Sequence, residues 1–201
     1  MLRTISPPPR RARQAHPNGE PVKGVGVSFK RYVGLDLSLT NSASAMLQAA
    51  KISTDRKSPK NKGTERLSLL RKWLTDYIVD TDPVGVAIEG YSFGSKNGRE
   101  RMGEWGGVAR LVLHDLGVPY IEVPPTSLKK FITSKSVAEK TEMGVQLYKR
   151  YGLERNQNDE VDAACLTLFA AAWWEPELMT LAKYQQDVID KLRKEIATGC
   201  N

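Results

Sequence analysis

Residues Val161 to Trp174 form an apolar run in which Asp162 is the only charged side chain. A helix that is apolar on every side belongs inside a domain rather than on its surface. The run is too short to cross a bilayer, and no other stretch approaches the 18 or so apolar residues a membrane helix needs. It predicts a buried helix over Asp159–Trp174, ended by Glu175-Pro176 and followed by an amphipathic helix over roughly 177–197.

The segments before that helix supply something for it to pack on. Tyr32 to Leu39 alternates, with Val33, Leu35, Leu37 and Leu39 on one face, and reads as a first strand. Ala43 to Ala50 is a second extended segment, and the polar stretch Ile52 to Gly63 holds a short strand and a loop. Residues 64–80 have a helical period, and Asp82-Pro83 closes them before the buried-looking strand Val84 to Glu89. A glycine-punctuated loop, Gly90 to Gly98, leads to a helix over about 100–116. Tyr120 to Val123 is a further strand, Pro124 to Leu128 a short helical turn, and a helix covers about 136–151. Hairpin strands first and strand–helix–strand units afterwards predict an α/β mixed sheet with helices on both faces.

Charge separates the ends from this core. Residues 1–31 carry seven Lys/Arg and one acid, which accounts for most of the formal net charge of +7. The chain divides into a flexible basic arm rich in proline and arginine (1–30), a central domain (31–174) and a C-terminal helical extension (175–201). Pro7, Pro8 and Pro9 oppose the amphipathic helix of an organelle transit peptide. Cys165 and Cys200 lack the spacing of a metal site or a disulfide framework, so a reducing compartment is expected. The basic excess favours an anionic partner such as nucleic acid.

Four acids occupy positions of chemical interest. Asp36 interrupts the first strand, Glu89 ends the central one, and Asp159 and Asp162 lie three residues apart on one helix edge. Taken singly, each has a structural explanation. Asp36 and Glu89 alternate with apolar neighbours and can face water, and an acid in a first helical turn, as Asp159 is, is favoured electrostatically. Asp162 is the hardest to explain this way, because the turns around it are apolar. Taken together, carboxylates from two strand ends and one helix would repel one another unless a cation held them. Oxygen-only ligands suit Mg²⁺ or Mn²⁺, and a pair of such ions can drive phosphodiester hydrolysis. No Ser/His/Asp or Cys/His arrangement competes, since His16 lies in the arm and His114 in a helix.

Across Arg31 to Trp174 the sequence resembles the RuvC-type Holliday junction resolvases of the ribonuclease H-like superfamily, phage-type members included. The resemblance is carried by Gly34-Leu35-Asp36-Leu37-Ser38-Leu39-Thr40-Asn41, by Ala87-Ile88-Glu89, and by Gly103-Glu104-Trp105-Gly106-Gly107-Val108-Ala109. Ser127-Leu128-Lys129 and Ala138-Glu139-Lys140 follow, and Asp159-Glu160-Val161-Asp162-Ala163-Ala164 completes it. It departs from the family at Ala43, where a glycine is usual. The arm and the C-terminal extension lie outside the common core.

The resemblance implies a ribonuclease H-like mixed five-stranded sheet with helices on both faces. It assigns Asp36, Glu89, Asp159 and Asp162 to two Mg²⁺ ions per site, with Mn²⁺ able to substitute, and Lys129 and Lys140 to DNA phosphates near the cut. In the loop after the second acid, Tyr91 and Phe93 are candidates to probe a junction centre, with Lys96, Arg99 and Arg101 contacting the DNA backbone; packing under the loop is an equal alternative for the two aromatics. Lys130 and Lys135 read as a solvated helix face. The implied activity is metal-dependent, structure-selective cleavage of four-way or other branched DNA, as in recombination and repair, leaving 5′-phosphate and 3′-hydroxyl ends. Paired nicks imply a homodimer, for which the helix bearing Gly103, Gly106, Gly107, Val108, Leu111 and Val112 offers a face; burial against its own sheet is the alternative. The expected location is the cytoplasm of a bacterium or a phage-infected host. The rival readings are a non-catalytic branched-DNA-binding module and a nuclease acting on RNA–DNA hybrids.

Overall fold

The structure, a computed structural model, describes residues 19–38, 41–90, 99–155 and 157–198; for 99–102 and 140 only the backbone is described. One mixed sheet of six strands organises them: β1 (Glu20–Pro21), β2 (Tyr32–Asp36), β3 (Ser42–Gln48), β4 (Lys51–Lys57), β5 (Gly85–Glu89) and β6 (Tyr120–Val123). Their spatial order is β1-β4-β3-β2-β5-β6, with β1 to β2 linked by antiparallel pairings and β2, β5 and β6 parallel. Six helices flank the sheet: α1 (Gly63–Thr81), α2 (Arg99–Asp115), α3 (Pro125–Thr133), α4 (Lys140–Tyr151), α5 (Asn158–Trp174) and α6 (Lys183–Ala197). No helix among the described residues is long and apolar enough to cross a membrane.

Alternation along each strand splits the core in two. Val33, Leu35, Val86 and Ile88 face α1 and α2, where Leu70, Leu74, Trp105 and Leu113 meet them. Tyr32, Ala43, Ala45 and Ala87 face the other way, toward α5, which is backed by α3, α4 and α6. The buried, all-apolar helix expected from the sequence is α5, lying across the middle of the sheet.

Several boundaries differ from the sequence expectation, each for a local reason. The sheet has six strands rather than five, because Glu20–Pro21 adds to the edge of β4 and Val22 is buried beside it. Residues 20–30, assigned from sequence to the flexible arm, therefore include part of the fold. The second strand stops at Gln48, since Ala49 and Ala50 take up φ of 51° and 57° in the two-residue turn to β4. Such a turn needs positive φ at both positions. The turn expected at 124–128 extends into the nine-residue helix α3, capped by Ser134 in the left-handed region, and α4 starts at Lys140 rather than near 136. Residues 176–178 form one 3-10 turn, so the last helix begins at Lys183 rather than near 177.

The C-terminal helix packs on the core through Gln185, which is fully buried. Its amide nitrogen donates to Phe131 O and Tyr151 Oη, each at 3.0 Å. Its amide oxygen accepts from Arg150 Nη2 (3.0 Å) and Ala182 N (3.1 Å). A buried amide with all these partners holds α6 against α3 and α4 in one register.

Candidate functional site

The site is built where β2 and β5 end. The two strands run parallel with Leu35 opposite Ile88, so the next position on each brings Asp36 and Glu89 side by side. By alternation both fall on the face of the sheet covered by α5. That decides between the two readings of Asp36: it does not project into solvent but is buried, 8% exposed, under the helix.

The orientation of α5 brings the other two acids to the same end. Trp174, at the C-terminus of α5, lies against Gly85 at the start of β5, where an added Cβ would collide with the indole. Midway along, Ala163 and Thr167 touch Gly34 so closely that a Cβ there would strike the helix backbone. Thr167 Oγ1 lies 2.9 Å from both Ala45 O and Ala163 O, tying the helix to β3. α5 therefore runs against the direction of β2 and β5, and its N-terminus, bearing Asp159 and Asp162, overlies their C-terminal ends. Asp162 is 6% exposed; its charge adds to the effect of burial in pushing up the thiol pKa of Cys165 one turn on.

Asp159 has a partner that the sequence reading did not foresee. Arg56 on β4 donates to its Oδ2 from Nε at 3.0 Å, and its Nη2 lies 2.9 Å from the same oxygen as an ion pair. In the sheet register Asp36 lies opposite Ala43, and Ala43 opposite Arg56, so the three form one row on the α5 face. The available signal was its spacing: Arg56 falls four residues after Ile52 and so shares the inward face of β4. Asp55, next to it, points the other way and accepts from Trp73 Nε1 of α1 at 3.0 Å. Among the described residues no three acidic, histidine or cysteine side chains are grouped closely enough to hold a metal ion as they stand. The four carboxylates thus share one end of the fold, while Asp159 is drawn toward β4.

A second unforeseen contact ties Ser38, just beyond β2, and Ser42, at the start of β3, to α2. Trp105 of α2, fully buried, donates from Nε1 to Ser42 Oγ at 3.0 Å. Ser42 Oγ in turn donates to Ser38 O at 2.5 Å.

The lysines lie around the same end. Gly90 N donates to Val123 O (2.9 Å), and α3 starts two residues beyond Val123, so half-buried Lys129 follows directly from the strand next to Glu89. Lys140 opens α4, whose Gly144 faces Val161 in the first turns of α5. The side chain of Lys140 lies outside the described residues, as do those of Arg99 and Arg101. Tyr91, Phe93 and Lys96, the loop candidates, lie wholly outside them. Lys130 is exposed and Lys135 pairs with Glu142 at 2.8 Å, in keeping with a solvated face. A separate open cleft runs along β4 between Asp55, Asp80, Glu154, Arg155 and Glu160; its carboxylates repel a phosphate chain.

Solved structures share this architecture. Thermus thermophilus RuvC superimposes with a TM-score of 0.61 over 76% of this chain and 99% of its own, at 18% identity. The fold is that of RuvC. T. thermophilus RuvC in complex with a Holliday junction substrate matches equally, with a TM-score of 0.61 over 75% of this chain and 99% of that one at 17% identity. The yeast mitochondrial Holliday junction resolvase Ydc2 gives a TM-score of 0.48 over 86% and 85% of the two chains, at 11% identity. No protein-family model matches the chain, and no curated protein sequence matches it. The RuvC fold with helices on both faces agrees with the class expected from sequence, extended by the edge strand β1.

Proposed function

We propose that the protein is a metal-dependent, structure-selective DNA endonuclease that resolves Holliday junctions or related branched DNA. The observation that carries this reading is the position of Asp36, Glu89, Asp159 and Asp162 at one end of a RuvC fold, two on adjacent parallel strands and two on the helix laid over them.

The donor set suits a hard divalent cation, since all four side chains offer carboxylate oxygens and none offers sulfur or imidazole. Asp36, Glu89, Asp159 and Asp162 would hold two Mg²⁺ ions, with Mn²⁺ as a substitute. When bound, such ions activate a water and stabilise the leaving oxygen of an in-line displacement. The chain's own groups do the rest. The N-terminus of α5 adds the positive end of a helix dipole beneath the acids. Lys129 and Lys140 would stabilise the negative charge gathering on a phosphate near the cut. The products are a 5′-phosphate and a 3′-hydroxyl.

Paired nicks require two sites related by a two-fold axis. α2 offers a face for such an axis. It buries Trp105, Ala109, Val112 and Leu113 against its own sheet, yet leaves Gly103 and Gly107 open and Leu111 58% exposed on the other side. A homodimer through that outer face, acting in the cytoplasm of a bacterium or phage-infected host, completes the reading.

The deciding experiment offers four-way, three-way, flap and linear DNAs and an RNA–DNA hybrid to the full chain with Mg²⁺ or Mn²⁺. Paired cleavage of the four-way junction is expected. Tight junction binding with no cleavage under either metal would leave a binding module instead, and preferred cleavage of the hybrid would make it a ribonuclease H.

A further inference from the structure

Arg56 is a cation of the acidic end, paired with Asp159. It lies two strands from Asp36 in the row Asp36–Ala43–Arg56, about 10 Å away at the backbone. Its Nε–H bond and its Nη2 ion-pair contact both fall on the same oxygen of Asp159, Oδ2, rather than forming a fork over both oxygens. Oδ1 is not used by that pair. The pull is toward β4, away from the strands that carry Asp36 and Glu89. Both partners are partly sheltered, with side-chain exposures of 31% for Arg56 and 16% for Asp159, so the attraction is less screened than at an open surface.

We propose that Arg56 is a positioning residue that acts as a built-in counter-ion for Asp159, holding the carboxylate toward β4 until a divalent cation draws it into the site. This rests on the metal-dependent reading above. Two consequences follow from the charges. Without metal, the guanidinium offsets the negative charge of the carboxylates gathered at this end of the fold. With metal, the pair must loosen before Asp159 ligates, so Arg56 lowers cation affinity and opposes loading until the cation concentration suffices.

The test is a Mn²⁺ titration of the full-length protein, read from the paramagnetic resonance signal of free Mn²⁺, together with thermal unfolding with and without Mn²⁺. Arg56→Gln is expected to bind Mn²⁺ roughly three- to tenfold more tightly than the parent, the scale of one partly screened ion pair. Its metal-free unfolding midpoint is expected to fall and to recover at saturating Mn²⁺. Arg56→Lys, which keeps the charge but loses the planar guanidinium, is expected to fall between the two. The control is Asp159→Asn: in that background Arg56→Gln should no longer change Mn²⁺ affinity, whereas a general charge effect would persist. A folded Arg56→Gln protein that binds Mn²⁺ no more tightly than the parent would overturn the proposal and leave the metal reading standing. Absence of Mn²⁺ binding by the parent and both Arg56 variants would overturn the metal reading, and the proposal with it.

Discussion

Gly34 on β2 and Thr167 on α5 are in such close contact that the helix backbone occupies the space a side chain at Gly34 would need. Thr167 Oγ1 adds a hydrogen bond to Ala45 O on the adjacent strand. This contact sets the height of α5 above the sheet and so how far Asp159 and Asp162 stand from Asp36 and Glu89. Gly34→Ala should force the helix outward and destabilise the fold by about 1–3 kcal/mol or more, as overpacking does. Chemical denaturation measures that loss. Cleavage should drop further than stability alone explains, because the acids of the helix and the strands separate. A variant with unchanged stability would show that α5 is not seated on this glycine.

Asp162 tests the chemistry. Asp162→Asn preserves size and removes the charge of a side chain that is 6% exposed. Junction cleavage should fall by about a thousandfold or more, the scale of losing a metal ligand worth several kcal/mol. Junction binding, measured by gel shift without divalent metal, should persist. Turnover near that of the parent would remove Asp162 from the site.

Glu175 ties down the opposite end of the sheet. Its Oε2 accepts from Tyr32 Oη (2.5 Å) and Ser28 Oγ (3.0 Å), and its Oε1 from Lys30 Nζ (3.3 Å). The Tyr32 bond leads in holding its carboxyl pKa below the ordinary 4.5, with Ser28 and Lys30 assisting and burial opposing them. The phenol of Tyr32 is pushed up in turn, by burial first and then by Glu175. A carboxyl pKa lower in the folded than in the unfolded state contributes stability that is fully present above the unfolded value and lost as pH falls through the folded one. Glu175→Gln should therefore cost about 1–2 kcal/mol at pH 7, as for a hydrogen bond to a charged group. Its deficit should shrink progressively as pH drops below 4.5. Urea unfolding across pH 3–7 follows the two curves; a constant gap would mean that the charge of Glu175 does not matter.

Leu111 reports on assembly. Because it is 58% exposed, Leu111→Glu should change the stability of a single copy by no more than about 0.5 kcal/mol. If the proposed homodimer uses this face, the substitution should convert it to a monomer in sedimentation and turn the proposed paired cuts into single nicks. A dimer that survives the substitution would place its interface elsewhere.

Much of this was legible in the residue pattern. The apolar run Val161–Trp174, alternation in Tyr32–Asp36 and the β-branched strand before Glu89 identified the central helix and the strands around it, because burial on one or both faces leaves a periodic signature. Edges were less legible. Glu20–Pro21 is too short for any period to register, and Ala49-Ala50 carries none of the glycine or asparagine that usually marks such a turn. Nothing in the sequence marks Gln185 or Glu175 for enclosure, since a polar side chain gives no local sign that it will be hydrogen-bonded by distant segments.

The sequence by itself determined which groups carry charge and which segments must be buried: four carboxylates, their order along the chain, and a helix too apolar to stand at a surface. Only the tertiary structure decided how they relate. The face on which Asp36 lies was evident from alternation, but that α5 covers this face, runs against β2, and presents Asp159 to Arg56 across two strands was not. Those facts depend on the register of neighbouring strands and on the Gly34–Thr167 and Arg56–Asp159 contacts, the last two joining residues more than a hundred positions apart.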